Sequence, residues 1–202
     1  MGLWISAAPL VLASKSAVRR AVLEAAGLPV EVQMADIDER GIEAAARLDD
    51  PGAVAALLAR EKARQVAARM PARLVIGADQ TLSLEGRRYS KPDSRNAARA
   101  QLMELSGRSH ELHSAVAVWR DGALAFEHVE EARLTMRRLS PQFLDAYLDA
   151  AAGAVTTSVG AYQLEGLGVQ LFDRIEGDHF VILGLPLLAL LTYLRRDGSL
   201  RT

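Results

Sequence analysis

The chain has 202 residues, of which 50% are hydrophobic and 24% are charged, and its formal net charge is −1. This length and composition are typical of one globular domain with a sizeable core, and we expect that domain to cover residues 1–202. The balanced charge gives no basic field for nonspecific nucleic-acid binding. The sequence has no cysteine, which excludes disulfides, thiolate zinc sites and cysteine nucleophiles.

The first elements in chain order are predicted to be a strand and a helix. Pro9–Ala13 is the strand candidate. Ser16 can cap a helix from about residue 17 to residue 26, which Gly27 ends. The apolar run from Leu3 is not preceded by a basic residue and is interrupted by Pro9, so it does not resemble a signal peptide. No stretch of about eighteen apolar residues occurs, and we expect a cytoplasmic protein without a membrane partner.

The remaining pattern alternates strands with helices and predicts an α/β fold, in which a mixed, twisted sheet is flanked by helices. Residues 36–39 form an acidic loop, and residues 40–50 are polar and poorly periodic. Residues 181–183 indicate a buried strand. The other predicted strands cover Val30–Met34, Leu74–Ala78, Thr81–Leu84, Arg87–Tyr89, His110–Val118, Ala123–Leu134 and Val169–Ile175. The other predicted helices cover Pro51–Met70, Asn96–Leu105, a segment opened by Ser140-Pro141, and Pro186–Leu194.

Asp79 is the first candidate for a functional residue. It follows the apolar run Leu74–Ile76, so it is predicted at the end of a strand, beside the crevice in which open α/β sheets bind ligands. A carboxylate there can hold a divalent metal or take a proton from water. Lys91, beyond a glycine-containing turn, can return to the same crevice and meet a phosphate. Taken alone, the segment is equally compatible with a strand end that carries a solvated acid and base.

Two further segments contain residues suited to phosphate or metal. Ser14–Arg20 places hydroxyl groups, cations and backbone N–H groups at a helix N-terminus, where a phosphate chain can bind; the alternative is a capped helix with a solvated basic face. Glu39 and Glu61-Lys62 lie at the ends of neighbouring elements. Carboxylates from these elements could complete a Mg²⁺ site with Asp79, although each alone is typical of a protein surface.

The glycine-rich stretch Gly160–Gly168 and the histidines have weaker signals. The stretch lacks the strand-then-helix context of a dinucleotide-binding motif, but a tight loop here can present Glu165 to a ligand. His110 and His113 on a strand would point to opposite faces, which favours structural roles over a metal site. We also expect a structural role for His179.

Together these segments resemble the Maf family of nucleoside triphosphate pyrophosphatases. The resemblance implies a two-lobed α/β fold related to the inosine triphosphate pyrophosphatases, a divalent metal (Mg²⁺ or Mn²⁺), and cleavage between the α- and β-phosphates. Proteins of this fold class often form homodimers. The motifs that carry the resemblance run in order over about residues 10–195: Leu12-Ala13-Ser14-x-Ser16 with Arg19, Gly77–Gln80, Lys91-Pro92, Leu105–His110, Gly160–Gly166 and Gly184–Leu187.

The resemblance also implies a role for individual residues. Asp79 is the expected general base and shares a metal with Glu39. Four residues are expected to bind the phosphates: Ser14, Arg19, Lys62 and Lys91.

Three residues are expected to set the substrate: Val18, Gln80 and Glu165. Gln80 and Glu165 match the branch that resembles 7-methyl-GTP pyrophosphatases, whereas enzymes acting on dTTP and UTP typically have Thr and Gln there. Val18 matches neither branch: the 7-methyl-GTP branch usually has a bulky aromatic residue at this position, and the dTTP/UTP branch has an arginine. From Gln80 and Glu165 we expect 7-methyl-GTP as the substrate. The alternatives are a dTTP/UTP pyrophosphatase, a nucleotide-binding regulator of cell division with weak hydrolysis, and a metal-dependent phosphatase.

Overall fold

The computed structural model describes residues 2–202, so Met1, where the predicted domain begins, lies outside the described residues. The helices are α1 (Ala17–Ala25), α2 (Glu39–Ala46), α3 (Pro51–Ala67), α4 (Arg95–Leu105), α5 (Pro141–Ala151), α6 (His179–Ile182) and α7 (Leu187–Arg196). The strands are β1 (Leu10–Leu12), β2 (Val30–Val32), β3 (Val75–Leu84), β4 (Arg87–Tyr89), β5 (Ser109–Arg120), β6 (Ala123–Met136) and β7 (Phe172–Glu176). Within residues 2–202 no helix is long and apolar enough to cross a membrane.

The seven strands form one mixed sheet with the order β2-β1-β3-β5-β6-β7, and β4 also pairs with β3. β1 is parallel to both β2 and β3, and all other neighbours are antiparallel. The predicted α/β class with a mixed sheet is therefore confirmed.

The middle of β3 has a strand neighbour on one side alone. β5 pairs with β3 continuously from Val75 to Ser83. On the opposite side, β1 pairs with Val75 and Ile76, and β4 pairs with residues 82–84. Among the described residues, Gly77–Thr81 therefore has no strand beside it on the β1 side. The prediction of two separate strands with Asp79 between them was wrong, because the ladder to β5 carries the strand through this segment.

The hydrophobic core has two main clusters at opposite ends of β3. Ile76 belongs to a cluster with β1, α1 and α7. Leu82 belongs to a second cluster with α4, α5 and the adjoining parts of β5 and β6. The helix α3 packs its alanine-rich face on β5 in a smaller cluster of its own. These clusters give the two lobes that the sequence predicted, joined by a common sheet.

Three further sequence predictions of local structure were wrong. The polar segment after Asp38 forms the helix α2, because the Asp38 carboxylate caps the backbone N–H of Gly41 at 3.0 Å. The residues expected to form a buried strand near residue 181 form α6 instead, because the Asp178 carboxylate caps the backbone N–H of Phe180 at 2.6 Å. Residues 167–171 form a 3₁₀ turn, and the strand begins at Phe172.

The helices α1 and α5 begin where their predicted caps, Ser16 and Ser140, placed them. Ser16 accepts from the backbone N–H of Arg19 in α1, and Ser140 accepts from that of Phe143 in α5. Each cap satisfies a helix N–H that has no intrahelical partner.

Candidate active site

A cleft of about 920 Å³ lies beside the unpaired middle of β3. Its lining includes the N-terminus of α1 and residues of the segment 157–165. The structure brings together in this cleft nine of the residues that the sequence singled out: Ser14, Val18, Arg19, Glu39, Lys62, Asp79, Gln80, Lys91 and Glu165. Glu61, another carboxylate offered for the metal site, does not line the cleft and pairs instead with Arg64 at 2.7 Å.

Asp79 and Glu39 both contact the ammonium group of Lys62. The Lys62 Nζ lies 2.5 Å from Asp79 Oδ1 and 2.8 Å from Glu39 Oε1. Asp79 is 8% exposed, and this burial raises the pKa of its carboxyl, against the opposing pull of the Lys62 and Arg19 charges. A carboxylate with a raised pKa is a stronger proton acceptor than an ordinary one. Among the described residues its second oxygen, Oδ2, has no hydrogen bond, so it is available to water.

Lys62 reaches Asp79 because α3 lies very close to β3. Gly77 makes this approach possible: a Cβ on Gly77 would lie 2.1 Å from the carbonyl oxygen of Ala59 and 2.7 Å from the backbone nitrogen of Ala63. The absence of a side chain at Gly77 therefore sets the distance between α3 and the strand.

Arg19 joins three segments of the chain. Its Nε donates to the carbonyl of Gly184 at 2.7 Å, and its Nη1 donates to the carbonyl of Ala78 at 2.7 Å. Burial lowers the pKa of Arg19, while the charges of Asp79 and Glu39 raise it. Arg19 is thus already held by protein acceptors, and among residues 2–202 its Nη2 alone has no acceptor and can be offered to a ligand.

Ser14 has a hydroxyl proton available to donate. Its Oγ accepts from the backbone N–H of Ser16 at 3.2 Å and from Arg19 Nη1 at 3.4 Å. Both contacts use the oxygen lone pairs, so the O–H can point into the cleft. The adjoining N-terminus of α1 supplies backbone N–H groups and a positive dipole end, which together suit an anion.

Besides Arg19, three cations that line the cleft lack a carboxylate partner among the described residues: Lys15, Arg40 and Lys91. Lys91 was predicted from the sequence, Lys15 lay within the predicted segment Ser14–Arg20, and Arg40 was missed. Arg40 follows Glu39 in the segment expected to be a loop, and the helix α2 is what places it at the cleft. Recognising α2 from its Asp38 cap could have revealed it.

Gln80 is held in one orientation by three acceptors. Its Nε2 lies 3.0 Å from Ser114 Oγ, 3.1 Å from the carbonyl of Val181 and 3.0 Å from that of Ile182. Because two of these acceptors are backbone carbonyls, the nitrogen must face them, and the amide oxygen points elsewhere. Ser114 is fully buried and donates its own proton to the Val181 carbonyl at 2.6 Å.

Glu165 and Val18 both line the cleft. Glu165 is exposed, and its carboxylate has no ion pair within residues 2–202. Val18 is half-buried in the first turn of α1. Neither side chain is fixed by a hydrogen bond, in contrast to Gln80.

The carboxylates in the cleft fit a metal that is shared with phosphates rather than one held by protein alone. Among the described residues, no group of three or more acidic or histidine side chains is arranged to hold a metal ion. Asp79 and Glu39 nevertheless converge on one cation, the ammonium of Lys62. Two carboxylates completed by waters and substrate phosphates are a usual Mg²⁺ environment.

The histidines that the sequence assigned to structure lie outside the cleft. His110 is buried, and its Nε2 is 2.7 Å from the Tyr162 hydroxyl. His113 contacts Ser83 instead, through its Nε2 at 3.1 Å. His179 is exposed at the start of α6.

Comparison with known proteins gives consistent matches. Residues 9–197 match the family described as Maf-like protein. A protein of Bradyrhizobium diazoefficiens named nucleoside triphosphate pyrophosphatase is 59% identical over 197 residues, covering 98% of each chain. A protein of Nitrobacter winogradskyi with the same name is 57% identical over 200 residues, covering 99% of each chain. Among solved structures, a HAM1 protein from Coxiella burnetii has a TM-score of 0.43 and 17% identity, over 64% of this chain and 73% of that chain.

Proposed function

This chain belongs to the Maf-like protein family, and on that premise we propose that it is a metal-dependent nucleoside triphosphate pyrophosphatase whose substrate is 7-methyl-GTP. The observation that carries the proposal is the convergence of a buried carboxylate, groups suited to phosphate and groups suited to a nucleotide base in one cleft. The relatives described above are named for the same general activity.

The triphosphate lies along the N-terminal end of α1 in this proposal. Ser14 donates its hydroxyl proton to a phosphate oxygen. Arg19 donates from its Nη2, which has no acceptor among the described residues. Lys62 and Lys91 neutralise the charge that moves towards the leaving pyrophosphate. Lys91 is exposed and can turn to the phosphates without breaking an ion pair with any described residue.

Asp79 acts as the general base. It accepts a proton from water, the water oxygen forms a bond to the α-phosphorus, and the bond between that phosphorus and the bridging oxygen breaks to release pyrophosphate. Asp79 and Glu39 would hold Mg²⁺ or Mn²⁺ together with substrate phosphates, and the bound metal supplies positive charge that polarises the reacting phosphate.

The base is read by Glu165 and Gln80. A carboxylate at Glu165 can accept from the ring N–H and the exocyclic amine of a guanine-type base. Gln80 presents its amide oxygen, because its nitrogen is held by Ser114 and two carbonyls. A thymine or uracil edge offers a single ring N–H donor and would leave one of these acceptors unpaired, at a cost in binding.

Product analysis with 7-methyl-GTP, GTP, dTTP and UTP, each with and without Mg²⁺, tests the proposal. We expect pyrophosphate release, fastest with 7-methyl-GTP and dependent on the metal. Orthophosphate as the product would indicate a phosphatase, preference for dTTP or UTP would indicate the pyrimidine branch, and binding without turnover would indicate a regulator.

Replacing Asp79 with Asn tests the assignment of the base. We expect turnover to fall by at least about 10³-fold, since the amide cannot accept the proton, while the circular dichroism spectrum is unchanged. Asp93→Asn, at an exposed site after β4, is the matched control and should retain wild-type activity. Substantial turnover in the Asp79 variant would reject the assignment.

A further inference from the structure

A second cavity of about 620 Å³ lies beside α1 and is lined almost entirely by carbon. We call it the α1 groove. Among its lining side chains, Glu165 and His179 are polar, and the others are apolar. The lining residues are Ala17, Val18, Ala21, Val22, Ala25, Ala26, Glu165, His179, Phe180, Leu183 and Leu187.

The α1 groove is continuous with the active-site cleft. Four residues line both cavities: Ala17, Val18, Glu165 and Leu183. Glu165 is the side chain that reads the base in the function proposed above. A base held against Glu165 therefore lies at the boundary between the cleft and the groove.

Small side chains keep this boundary open. Ala17, Ala21 and Ala25 are exposed at four-residue intervals on one face of α1, and residue 18 is a half-buried valine. The lining also includes the rings of His179 and Phe180, which meet edge to face with their centroids 5.8 Å apart. The groove therefore combines small side chains of α1 with two rings of α6.

The chemistry of the lining selects the occupant. A phosphate or sugar would lose its hydration here and find only the side chains of His179 and Glu165 as polar partners, which is unfavourable. An apolar group would gain from leaving water, and an aromatic one could also pack against the Phe180 ring. Because the entrance is next to Glu165, such a group has to be attached to the base rather than to the phosphate end.

We propose that the α1 groove is a subsite for an apolar substituent on the base of the substrate nucleotide. The substrate class then consists of purine nucleoside triphosphates whose base carries a hydrophobic group larger than methyl. This inference rests on the proposed function, because it uses the position of the base at Glu165.

Binding of non-hydrolysable nucleotides tests the subsite. The probes are α,β-methylene analogues of 7-methyl-GTP, 7-benzyl-GTP and N2-benzyl-GTP, titrated calorimetrically with Mg²⁺. We expect at least one benzyl isomer to bind about tenfold more tightly than the methyl compound, because the added ring buries apolar area in the groove. Weaker binding of both benzyl isomers would overturn the inference.

Variants of α1 test whether the tighter binding of a benzyl compound comes from the α1 groove. Ala21→Trp fills the groove from the helix face, and we expect the benzyl-to-methyl advantage to fall to about twofold or less. Ala25→Trp is the second variant, one turn further along. Ala146→Trp, at an exposed position of α5, should keep the full advantage. If the benzyl-to-methyl advantage persists in both groove variants, the subsite proposal is contradicted. It is also contradicted if a groove variant converts a dimer into a monomer in sedimentation.

Turnover separates this inference from the proposed function. If 7-methyl-GTP binds but is not hydrolysed, the proposed hydrolysis fails, and the affinities of the benzyl isomers still decide whether the groove is a subsite. If none of the nucleotides binds, both proposals are wrong.

Discussion

At the scale of single residues, the two groups proposed to read the base are held very differently. Gln80 is fixed through its nitrogen by three acceptors, whereas Glu165 has no partner within residues 2–202. A fixed acceptor discriminates between bases because it cannot turn away from a mismatched edge. We therefore expect selectivity between bases to depend on Ser114, whose hydroxyl holds the Gln80 nitrogen.

Ser114→Ala should weaken selectivity without removing a catalytic group. Ser114 accepts from Gln80 Nε2 and donates to the Val181 carbonyl. Without its hydroxyl, Gln80 has one acceptor fewer, and we expect the ratio of kcat/KM for 7-methyl-GTP over UTP to fall by about tenfold, mainly through KM. Steady-state kinetics with both substrates measures this ratio. Ser83→Ala removes another buried hydroxyl of the sheet and should leave the ratio unchanged; an equal loss in both variants would show a general structural effect.

The sequence identified the residue types of the site but not their contacts. Asp79, Lys62 and Glu39 could be proposed separately because acids and bases at element ends are typical of sites. That both carboxylates converge on Lys62 could not be predicted, because it depends on how closely α3 approaches the sheet. The hydrogen bonds of Arg19 to the carbonyls of Ala78 and Gly184 could not be predicted either, because every residue has a carbonyl that could accept them.

At the scale of elements, the contact between α3 and β3 determines whether the site forms. Gly77→Ala would place a methyl group 2.1 Å from the Ala59 carbonyl oxygen, so α3 must move away. We expect the free energy of unfolding to fall by about 2–3 kcal/mol and turnover to fall with it, because Lys62 is carried away from Asp79.

Urea unfolding and turnover of the same samples test this expectation. Gly153→Ala is the control, since a Cβ on Gly153 meets nothing within 4 Å; it should change stability by less than about 0.5 kcal/mol. A Gly77 variant with wild-type stability and activity would show that α3 is not held in place by this contact.

Elements that bury many residues were predictable, and a short helix that buries none was not. The helix α3 and the hairpin of β5 and β6 were found because each has many buried apolar residues. The helix α2 buries no residue, and it was missed because Asp38 was not recognised as its cap. β3 was divided at Asp79-Gln80 because polar residues often end a strand, whereas here β5 pairs with β3 from Val75 to Ser83.

At the scale of the whole molecule, the cleft lies between two lobes whose cores are separate. One lobe contains His110, which is completely buried and in contact with Tyr162 and Phe172. Tyr162 also lines the cleft. The packing around this histidine therefore connects the stability of the lobe with one wall of the proposed site.

The stability of the molecule should decrease as the pH falls from 6.5 towards 4. Burial lowers the pKa of His110 from 6.5 to about 4. Between these values the unfolded chain binds a proton that the folded chain does not, so the free energy of unfolding falls with falling pH. For this histidine alone the loss is about 3 kcal/mol between pH 7.5 and pH 4. The raised pKa of Asp79 acts in the opposite direction, so a comparison with a variant is required.

His110→Phe isolates the contribution of the histidine. The variant loses a constant amount of stability because the buried Tyr162 hydroxyl loses its partner, and it lacks a titrating ring. We expect the difference in free energy of unfolding between wild type and variant to shrink by about 3 kcal/mol from pH 7.5 to pH 4, measured by urea unfolding. His128→Phe, at a partly exposed position of β6, should follow the wild-type profile. A difference that stays constant with pH would mean that His110 is protonated inside the folded core, and that its contact with Tyr162 accommodates the charge.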